Sequence, residues 1–403
     1  MKNFTLIFLS LFFCFISFGQ SRYYKAQMHC HSTNSDGGYS PQDLVNKYKA
    51  QGYEIMFITD HNVLTLESEV NVPEVLVIQS EELTFERHMN GFFLTEVIIP
   101  DNTCQNAIDA VKQQNGLIQL NHYCAGPVTE DSWEVSAQEI ISFTNGPDFL
   151  EIWNTGTETI QTHDDKSIWD EVLTTGKVVW GSATDDFHPS ALESLEFNKG
   201  WNMIWLDSLS SEAVYDALVN GRFYASTGVE ISDYNVTDFG NAKNITVQCE
   251  NCEKIQFWGP GHTLLQEVSS STASYYLANE QYVRCELIHE GFLGIGNSNA
   301  WTQPVFRNNS TDALVNENKL QLSVYPNPAV NEININLYAN QNEFLNVEIH
   351  SITGAFVTSL FSGNIHAGNF YVKSNVSNLK TGIYLLSIDL GFEKVVKKIS
   401  IVN

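Results

Sequence analysis

Short apolar segments alternate with amphipathic helical segments from Tyr23 to about Thr227. Such alternation is typical of a parallel α/β fold, because each helix covers the sheet while it returns the chain to the start of the next strand. In the first repeat, Ser40-Pro41 supplies an N-cap and a proline at the first helical position. Leu44, Val45 and Tyr48 then form one apolar face. Six or seven such repeats predict a barrel.

The other repeats are read from the same pattern. After a first strand that ends at His31, the predicted strands are Glu54–Thr59, Val75–Gln79, Leu117–Leu120, Phe149–Trp153, Lys177–Trp180 and Met203–Leu206. The predicted helices are Cys104–Gln114, Lys166–Thr175 and Glu212–Asn220. Each of these helices stops at or just before a glycine, a residue that favours helix termination.

Helical periodicity ends near Val229, and the later segments ITVQC, KIQFWG and YVRCELIHEG predict the strands of a small β-sandwich. A polar stretch follows and is typical of a linker. We therefore expect five parts: a signal peptide at 1–19, an α/β barrel at 20–228, a β-sandwich at 229–306, a linker at 307–319 and an all-β domain at 320–403.

The N-terminus predicts export. Lys2 precedes an apolar stretch, and Ser17-Phe18-Gly19 fits the small-x-small rule for signal-peptide cleavage. We expect no transmembrane segment after this peptide is removed, because the stretch is short for a spanning helix. The formal net charge of −26 argues against nucleic acid as a routine partner. An anionic substrate would have to be held by local positive charge, which bound metal ions can supply.

Few cysteines follow the signal peptide. Six at this low density permit disulfides without making the fold depend on them. Cys249-Glu-Asn-Cys252 fits a redox or zinc motif, but a zinc site would need a second such pair nearby. A local disulfide or two free thiols is therefore the preferred interpretation, and we assign the pair no function.

Metal-ligating residue types recur where predicted strands end. In MHCHSTNSDGG, His29 and His31 point to the same side of the first strand and are able to hold one ion together. Strand ends at that edge are where barrel enzymes place their chemistry. The other candidates at these positions are Asp36, His61, Glu82, His122, Glu151, Asp186 and His188. Imidazole and carboxylate groups together favour zinc, manganese or iron.

Five motifs in order resemble the polymerase and histidinol phosphatase (PHP) superfamily of metal-dependent phosphoesterases. They are HCHSTNSDG, ITDHN, SEELT, LNHY and TDDFH, and the resemblance covers roughly Tyr23 to Gly228. It implies a distorted (βα)7 barrel that holds two or three divalent metal ions, Zn, Mn or Fe. The RHMN and EIWN segments look like the carbaryl-hydrolase-like branch of this superfamily.

The resemblance also implies a ligand set. His29, His31, Glu82 and Asp186 would surround one ion, and Glu82 would bridge to a second ion that His122 also binds. Asp36, His61 and His188 would hold another. Glu82 is preferred over Glu81 because Glu-Leu-Thr matches the family's acidic-apolar-hydroxyl pattern. The remaining ligand of the His122 ion is open among three candidates, which are Glu151, Asn154 and His163.

Three further residues have expected roles near this centre. His88 is a candidate for lining the pocket, with a solvated loop histidine as the alternative. Arg222, in GRFYASTG, is a candidate anchor for an anionic substrate group, with an exposed arginine at a helix end as the alternative. Asp60 is expected to orient His61, as carboxylates often orient metal-bound imidazoles.

These residues predict a secreted metal-dependent hydrolase acting on a small-molecule ester, and a phosphoesterase is the preferred interpretation. Two nearby ions lower the pKa of a bridging water, and the metal-bridged hydroxide would attack phosphorus, with Asp186 in the catalytic set. One alternative is a carboxylic or carbamate ester hydrolase on the same site. The other is a non-catalytic surface binding protein on a degenerate barrel.

The C-terminal region has its own resemblance. LSVYPNPAVNEININL, GIYLLSI and VVKKISIVN are similar, in this order, to the type A sorting domain of the type IX secretion system of Bacteroidetes. The alternative is an ordinary β-sandwich adhesion module, since alternating strands alone do not separate the two. The sorting domain implies the type IX machinery as a partner and a secreted or cell-surface location, reached through the periplasm and the outer membrane.

Overall fold

The computed structural model describes residues 21–85, 87–99, 103–124, 134–157, 164–189, 193–239, 242–291, 297–307, 321–325, 329–339, 343–352, 355–366, 368–390 and 394–402. The predicted signal peptide, nearly all of the predicted linker and His163 lie outside these residues. The chain divides into two units, Met1–Ala313 and Leu314–Asn403.

Among the described residues, the first unit begins with nine strands and six helices. The strands are β1 (Arg22–Gln27), β2 (Ile55–Ile58), β3 (Leu76–Thr84), β4 (His88–Phe92), β5 (Leu117–Leu120), β6 (Phe149–Asn154), β7 (Trp180–Thr184), β8 (Trp201–Leu206) and β9 (Phe223–Ser226). The helices are α1 (Pro41–Lys49), α2 (Cys104–Gln113), α3 (Ala137–Ser142), α4 (Asp165–Thr174), α5 (Glu193–Glu196) and α6 (Ser211–Val219). A 3-10 turn spans Glu67–Glu69.

These strands form one sheet of mixed direction, in the order β9-β8-β1-β2-β3-β4-β5-β6-β7. β1, β2 and β3 pair in parallel, and so do β5, β6 and β7. β4 runs antiparallel between β3 and β5, and β8 runs antiparallel to β1 and β9. The parallel pairs and helices support the predicted α/β class in part, but the described residues are mostly strand with few helices, the sheet is mixed, and a (βα)7 barrel is not confirmed.

The two ends of this strand order meet through short contacts. Asn202 of β8 accepts a hydrogen bond from the Ala183 N–H of β7 at 3.2 Å, and its side-chain amide donates to the Ala183 carbonyl at 2.9 Å. Beyond β1 and β7, Cys30 and Phe187 form a parallel bridge. The residues that follow β1 therefore lie beside the residues that follow β7.

Helix α1 forms as its sequence predicts. The Ser40 side chain caps it by accepting from the Asp43 N–H, and Pro41 occupies the first turn. Leu44, Val45 and Tyr48 are all fully buried. They pack with core residues of the first strands that include Met56, Ile58 and Val77.

Two predictions in this region need correction. The strand expected at Lys177–Trp180 lies instead at Trp180–Thr184. After Trp180 the strand continues through the small residues Gly181-Ser-Ala-Thr184. A larger side chain would not fit at the first of these positions, because a Cβ on Gly181 would lie 2.8 Å from the Trp169 ring. The antiparallel β4 was not predicted at all, and it brings His88 to the same edge of the sheet as the end of β3.

The sheet of the first unit continues into the all-β segment. The strands there are β10 (Ile231–Asp238), β11 (Lys243–Cys249), β12 (Lys254–Gly259), β13 (Thr263–Val268), β14 (Thr272–Leu277), β15 (Tyr282–His289), β16 (Ser298–Thr302) and β17 (Val305–Phe306). β16 pairs with β9, and the order runs on through β15 and β12 to β13. β10, β11 and β14 form a second sheet. The buried residues of this second sheet pack against buried residues of β12 and β15, as expected for a two-layer sandwich.

The disulfide described in this unit joins two cysteines that are close in sequence. Cys249 and Cys252 form a disulfide, which agrees with one of the two interpretations preferred from the sequence. Cys30, Cys104, Cys124 and Cys285 are buried thiols.

The second unit is all-β. Its strands are β18 (Gln321–Tyr325), β19 (Glu332–Ala339), β20 (Glu343–Ser351), β21 (Phe356–Ile365), β22 (Gly368–Asn375), β23 (Gly382–Asp389) and β24 (Lys394–Ile401). They form two antiparallel sheets, β18-β19-β22 and β21-β20-β23-β24, around one apolar core. Across the part of the chain that the structure describes, no helix has the length and apolar character needed to cross a membrane.

Candidate metal centre

Nine side chains that are able to bind metal converge at one edge of the first sheet. Six of its strands run in the same direction, so their carboxyl ends share this edge. β4 runs the opposite way, and its first residue, His88, therefore lies there too. The nine residues are His29, His31, Asp36, His61, Glu82, His88, His122, Asp186 and His188.

The innermost group lies between the ends of β1, β3 and β7. His29 Nε2 is 3.2 Å from Asp186 Oδ1 and 3.4 Å from Glu82 Oε1. His31 Nε2 is also 3.2 Å from Asp186 Oδ1. All four side chains are nearly or fully buried. His29, His31 and Asp186 alone bring one ligand atom each within 4.8 Å of one another, as a shared ion requires.

A second group lies at the rim of the site. Asp36 Oδ1 is 3.2 Å from His188 Nε2, and Asp36 Oδ2 is 3.4 Å from His61 Nε2. Together with His31 these residues form a four-member cluster. The side chain of Asp36 is 55% exposed and that of His188 is 36% exposed. This group is therefore the part of the centre that a dissolved substrate reaches first.

A third group surrounds the other side of Glu82. His88 Nδ1 lies 3.2 Å from Glu82 Oε1, and His122 Nε2 lies 3.8 Å from the same oxygen. The rings of His88 and His122 have centroids 5.0 Å apart. His88 also clusters with Glu82 and His61. The sequence left open which residue completes the His122 group. The structure places His88 beside His122 and Glu82.

Buried ring nitrogens test whether this edge fits metal ions. Nε2 of His29 and both ring nitrogens of His31 are buried and make no hydrogen bond among the described residues. Leaving such atoms unsatisfied costs about 1–3 kcal/mol each. The Nε2 atoms of His29 and His31 both lie 3.2 Å from Asp186 Oδ1, and a divalent ion bound between these groups would satisfy them, so the residues fit the expected ions.

In the inner group, neighbouring carboxylates raise the pKa of a histidine, and neighbouring histidines lower the pKa of the carboxylates. Burial acts against charge on His29, but the carboxylates of Asp186, Glu151 and Glu82 outweigh it and raise the pKa of His29 well above its usual value. Burial likewise acts against ionised Asp186, but His29 and His31 hold its pKa well below the usual range. Histidines in the same way keep the pKa of Glu82 low. The carboxylates are therefore held in the ionised form that metal binding needs.

Glu151 does not join the ligand cluster. Its Oε1 lies 2.8 Å from His29 Nδ1, the ring nitrogen that points away from Asp186. Its Oε2 accepts from the His122 N–H at 2.7 Å and from the Asn154 side chain at 2.8 Å. Both carboxylate oxygens are thus occupied by protein donors. The expectation that Glu151 or Asn154 supplies the missing ligand is not supported by these contacts.

The two adjacent glutamates point in opposite directions, as neighbours on a strand do. Glu82 enters the cluster, whereas Glu81 Oε1 accepts a hydrogen bond from the Ile98 N–H at 2.6 Å. Burial raises the pKa of Glu81 to about 7. The structure therefore places the preferred glutamate, and not its alternative, among the histidines.

Asp60 has a different role from the one expected. Its Oδ1 accepts from the Ser32 N–H at 2.8 Å and from the Ser35 hydroxyl at 2.7 Å. It does not contact the His61 ring in the hydrogen bonds of the described residues. That ring instead has its Nδ1 2.6 Å from Thr84 Oγ1 and 2.8 Å from Glu82 Oε2. Asp60 therefore holds the loop that carries Asp36.

Arg222 lies at the opposite edge of the sheet. The Trp205 N–H donates to the Arg222 carbonyl at 2.9 Å, and Trp205 pairs with Tyr23 near the start of β1. The metal-binding side chains follow the other end of β1. The guanidinium is half exposed and pairs with Asp216. The substrate-anchor prediction for Arg222 is therefore wrong, and the exposed arginine at a helix end is what the structure contains.

Sequence reasoning missed Asn121 and understated His88. The Asn121 side chain donates to Glu82 Oε1 at 2.8 Å and to Asn90 Oδ1 at 2.9 Å, so it fixes the central carboxylate. A signal was present in both cases. Asn121 directly precedes His122, and His88 and Asn90 are two apart and thus share a strand face.

Comparison with known proteins identifies the second unit. Residues 323–402 match the family model of the secretion system C-terminal sorting domain. The sorting domain predicted from the sequence is confirmed, and with it a secreted or cell-surface location. The prediction that the type IX machinery is a partner follows from the same domain.

Two of the relatives that share sequence with this chain differ in how much of their length it covers. The uncharacterized protein MJ1587 of Methanocaldococcus jannaschii is 31% identical over 116 residues, which are 24% of this chain and 67% of that protein. The chain belongs to the family of MJ1587. A 5'-3' exoribonuclease of Haemophilus influenzae is 42% identical over 53 residues, but these are 13% of this chain and 19% of that enzyme. The region that this member of the MJ1587 family shares with the exoribonuclease is therefore only a small part of that enzyme.

The solved structures that are similar to this MJ1587-family chain include one that matches most of its length. It is a two-domain protein from Bacteroides vulgatus that contains a predicted PHP-like metal-dependent phosphoesterase. The match covers 69% of this chain and 93% of that one, with 14% sequence identity and a TM-score of 0.41.

Proposed function

We propose that this chain is a secreted metal-dependent hydrolase of the PHP superfamily, and that its substrate is a phosphate ester. The observation that carries the proposal is the convergence of six histidines and three carboxylates at one sheet edge, with buried ring nitrogens that face one another. A surface binding protein would have no need to keep such atoms buried and unsatisfied. The first sheet, in this proposal, is the distorted (βα)7 barrel of that superfamily.

Each group of the cluster has a proposed ion. His29, His31, Glu82 and Asp186 would hold the innermost one. Glu82, His88 and His122 would hold a second, because Glu82 presents Oε1 to the His88 side and Oε2 to the His31 side. Asp36, His61 and His188 would hold a third at the rim. When bound, such ions supply Lewis-acid stabilisation and an acidified water.

The protein's own residues fix this arrangement and decide what reaches it. Thr84 Oγ1 lies 2.6 Å from His61 Nδ1 and so leaves Nε2 of that ring directed to Asp36. Asn121 holds Glu82 from behind at 2.8 Å. The innermost side chains are shielded from bulk water, whereas His188 and Asp36 are open to it. A substrate would therefore enter at the rim and place its reacting group between the inner residues and His188.

Charge favours a phosphate ester over a carbonyl ester. The chain carries a formal net charge of −26, so it repels anions over much of its surface. Up to three divalent ions in one recess would concentrate positive charge at a single place. A phosphate group offers several anionic oxygens to such a place, and a neutral carbonyl offers one weakly charged oxygen. The same net charge disfavours long polynucleotides.

The test is a substrate screen with the full chain loaded with Mn²⁺, Zn²⁺ or Fe²⁺. Its arms are p-nitrophenyl phosphate, bis-p-nitrophenyl phosphate, a short single-stranded RNA, p-nitrophenyl acetate and an aryl carbamate. We expect turnover of a phosphate ester that is abolished by Asp186→Ala and retained by Arg222→Ala. Turnover of the acetate or carbamate alone would replace the phosphoesterase by a carbonyl esterase. No turnover in any arm, with no difference between variants, would favour a binding protein.

A further inference from the structure

Two buried carboxylates touch the metal-binding residues without entering the cluster. Glu151 and Asp60 both have no exposed surface. Neither has a free oxygen in the hydrogen-bond network, because each accepts four or more contacts from protein donors. Buried carboxylates are costly unless fully hydrogen-bonded, so their placement has to be organised by the surrounding residues.

Glu151 connects the residues of the two inner ions. Its Oε1 contacts His29 Nδ1 at 2.8 Å, and its Oε2 accepts from the backbone N–H of His122 at 2.7 Å. The Asn154 side chain donates to Glu151 Oε2 at 2.8 Å and also to Asp186 Oδ2 at 3.1 Å. One carboxylate therefore sets the relative positions of His29, His122 and Asp186.

Asp60 organises the loop at the rim. It accepts from the Ser32 N–H at 2.8 Å and from three hydroxyls, those of Ser32, Ser35 and Thr65, at 2.7, 2.7 and 2.5 Å. Ser35 directly precedes Asp36, the acidic member of the rim group. Asp60 contacts none of His29, His122 and Asp186 in these hydrogen bonds.

We propose that Glu151 and Asp60 are positioning residues for separate ions of the centre. Glu151 acts through His29, His122 and Asn154 on the two inner ions, and Asp60 acts through the 32–36 loop on the rim ion. This inference rests on the proposed metal-dependent function. It adds that the hydrogen bonds of the two carboxylates share no residue, so that the rim ion and the inner ions can be lost separately.

Amide replacements are suited to a test because they preserve size. In Glu151→Gln, one oxygen that accepts from His122 and Asn154, or from His29 and Thr184, becomes an NH₂ group that faces donors. In Asp60→Asn, one of the two oxygens that accept hydrogen bonds from Ser32 likewise becomes an NH₂ group. Outer partners of metal ligands typically change metal affinity by about 10–100-fold. We expect losses of at least ~10-fold, confined in each variant to its own ions.

The experiment compares these variants with two ligand knockouts in the full chain. Asp36→Ala removes a rim ligand, and His122→Ala removes an inner ligand. Zn²⁺ affinity is measured by competition with a chromophoric chelator, and bound Zn²⁺ is counted after dialysis. Thermal unfolding in EDTA reports the stability of each metal-free variant. Thr65→Val and Thr184→Val each remove one donor to Asp60 or Glu151 and serve as milder variants if an amide replacement fails to fold.

Asp60→Asn is expected to lose the same ion as Asp36→Ala, so the double variant of the two should bind as much Zn²⁺ as either single variant. Glu151→Gln combined with Asp36→Ala should lose more than either alone. Equal loss of all sites in both amide variants, or wild-type binding in either, would overturn the inference while leaving the metal centre intact. A wild-type chain that binds no Zn²⁺ would instead overturn the proposed function together with the inference.

Discussion

His88 Nδ1 lies 3.2 Å from Glu82 Oε1, across the antiparallel pair of β4 and β3. In this pairing Glu82 is opposite Asn90, and Thr84 is opposite His88. The relationship places a histidine from the start of one strand against the central carboxylate from the end of the preceding one. This contact makes His88 a proposed ligand of the centre, beyond its expected role of lining the pocket.

Replacing His88 should remove one ion. We expect His88→Ala to bind one fewer divalent ion per chain and to lose at least ~10-fold in kcat/KM, since a direct ligand should matter at least as much as an outer partner. The matched control is His289→Ala, because His289 is 43% exposed and pairs with Glu253 away from the centre. Metal counting and steady-state kinetics on both variants check this. Equal ion content in the two variants would contradict it.

Asp170 and Arg284 should be important for stability. Arg284 Nη2 lies 2.6 Å from Asp170 Oδ2, and neither side chain has any exposed surface. The pair therefore joins α4 to β15 in the interior of the first unit. Removing one partner of a buried pair typically costs about 3–5 kcal/mol. We expect this loss in Asp170→Asn, measured by urea unfolding. Asp216→Asn, which breaks the exposed pair with Arg222, should cost no more than about 1 kcal/mol.

The same pair predicts a pH dependence. Burial acts against ionised Asp170, but Arg284 outweighs it and lowers the pKa of Asp170 below its usual 3.8. A carboxyl whose pKa is lower in the folded state gives its full stabilisation above 3.8 and loses it as the pH falls further. The difference between wild type and Asp170→Asn should therefore shrink in urea titrations below about pH 4. A difference that grows as the pH falls below this value would contradict the assignment.

Arg222→Ala should leave catalysis unchanged. The side chain lies at the edge of the sheet opposite the histidine cluster, and it pairs with Asp216 on the surface. We expect kcat and KM for the best phosphate ester to stay within about twofold of wild type, since surface pairs are worth about 0–1 kcal/mol. A large increase in KM would show that the guanidinium reaches the substrate.

Local rules predicted the first repeat well. Ser40, Pro41 and the Leu44, Val45 and Tyr48 face behave as capping, proline placement and helical periodicity require, because all three depend on residues close in sequence. The cluster itself was also predictable, since the carboxyl ends of parallel strands share one edge wherever the strands lie in the order. Neither inference needed the register or the closure of the sheet.

What the sequence did not predict depends on contacts between distant segments. An antiparallel β4 of five residues has little periodicity of its own, and its place is set by pairing with β3 and β5. Asp60 and His61 are adjacent, yet Asp60 serves the 32–35 loop, because that loop returns to β2 in space. Arg222 could be assigned to an edge only once the direction of β9 was known.

The most direct test of the metal centre uses two adjacent glutamates. Glu82 lies among the histidines, whereas Glu81 points away and binds the Ile98 N–H. Bound Mn²⁺ or Zn²⁺ is to be counted in wild type, Glu82→Gln and Glu81→Gln, each prepared as the full chain. We predict two or three ions per wild-type chain, the same number in Glu81→Gln, and a loss of at least one in Glu82→Gln. No bound ion in wild type, or identical binding by the two variants, would contradict a Glu82-bridged centre.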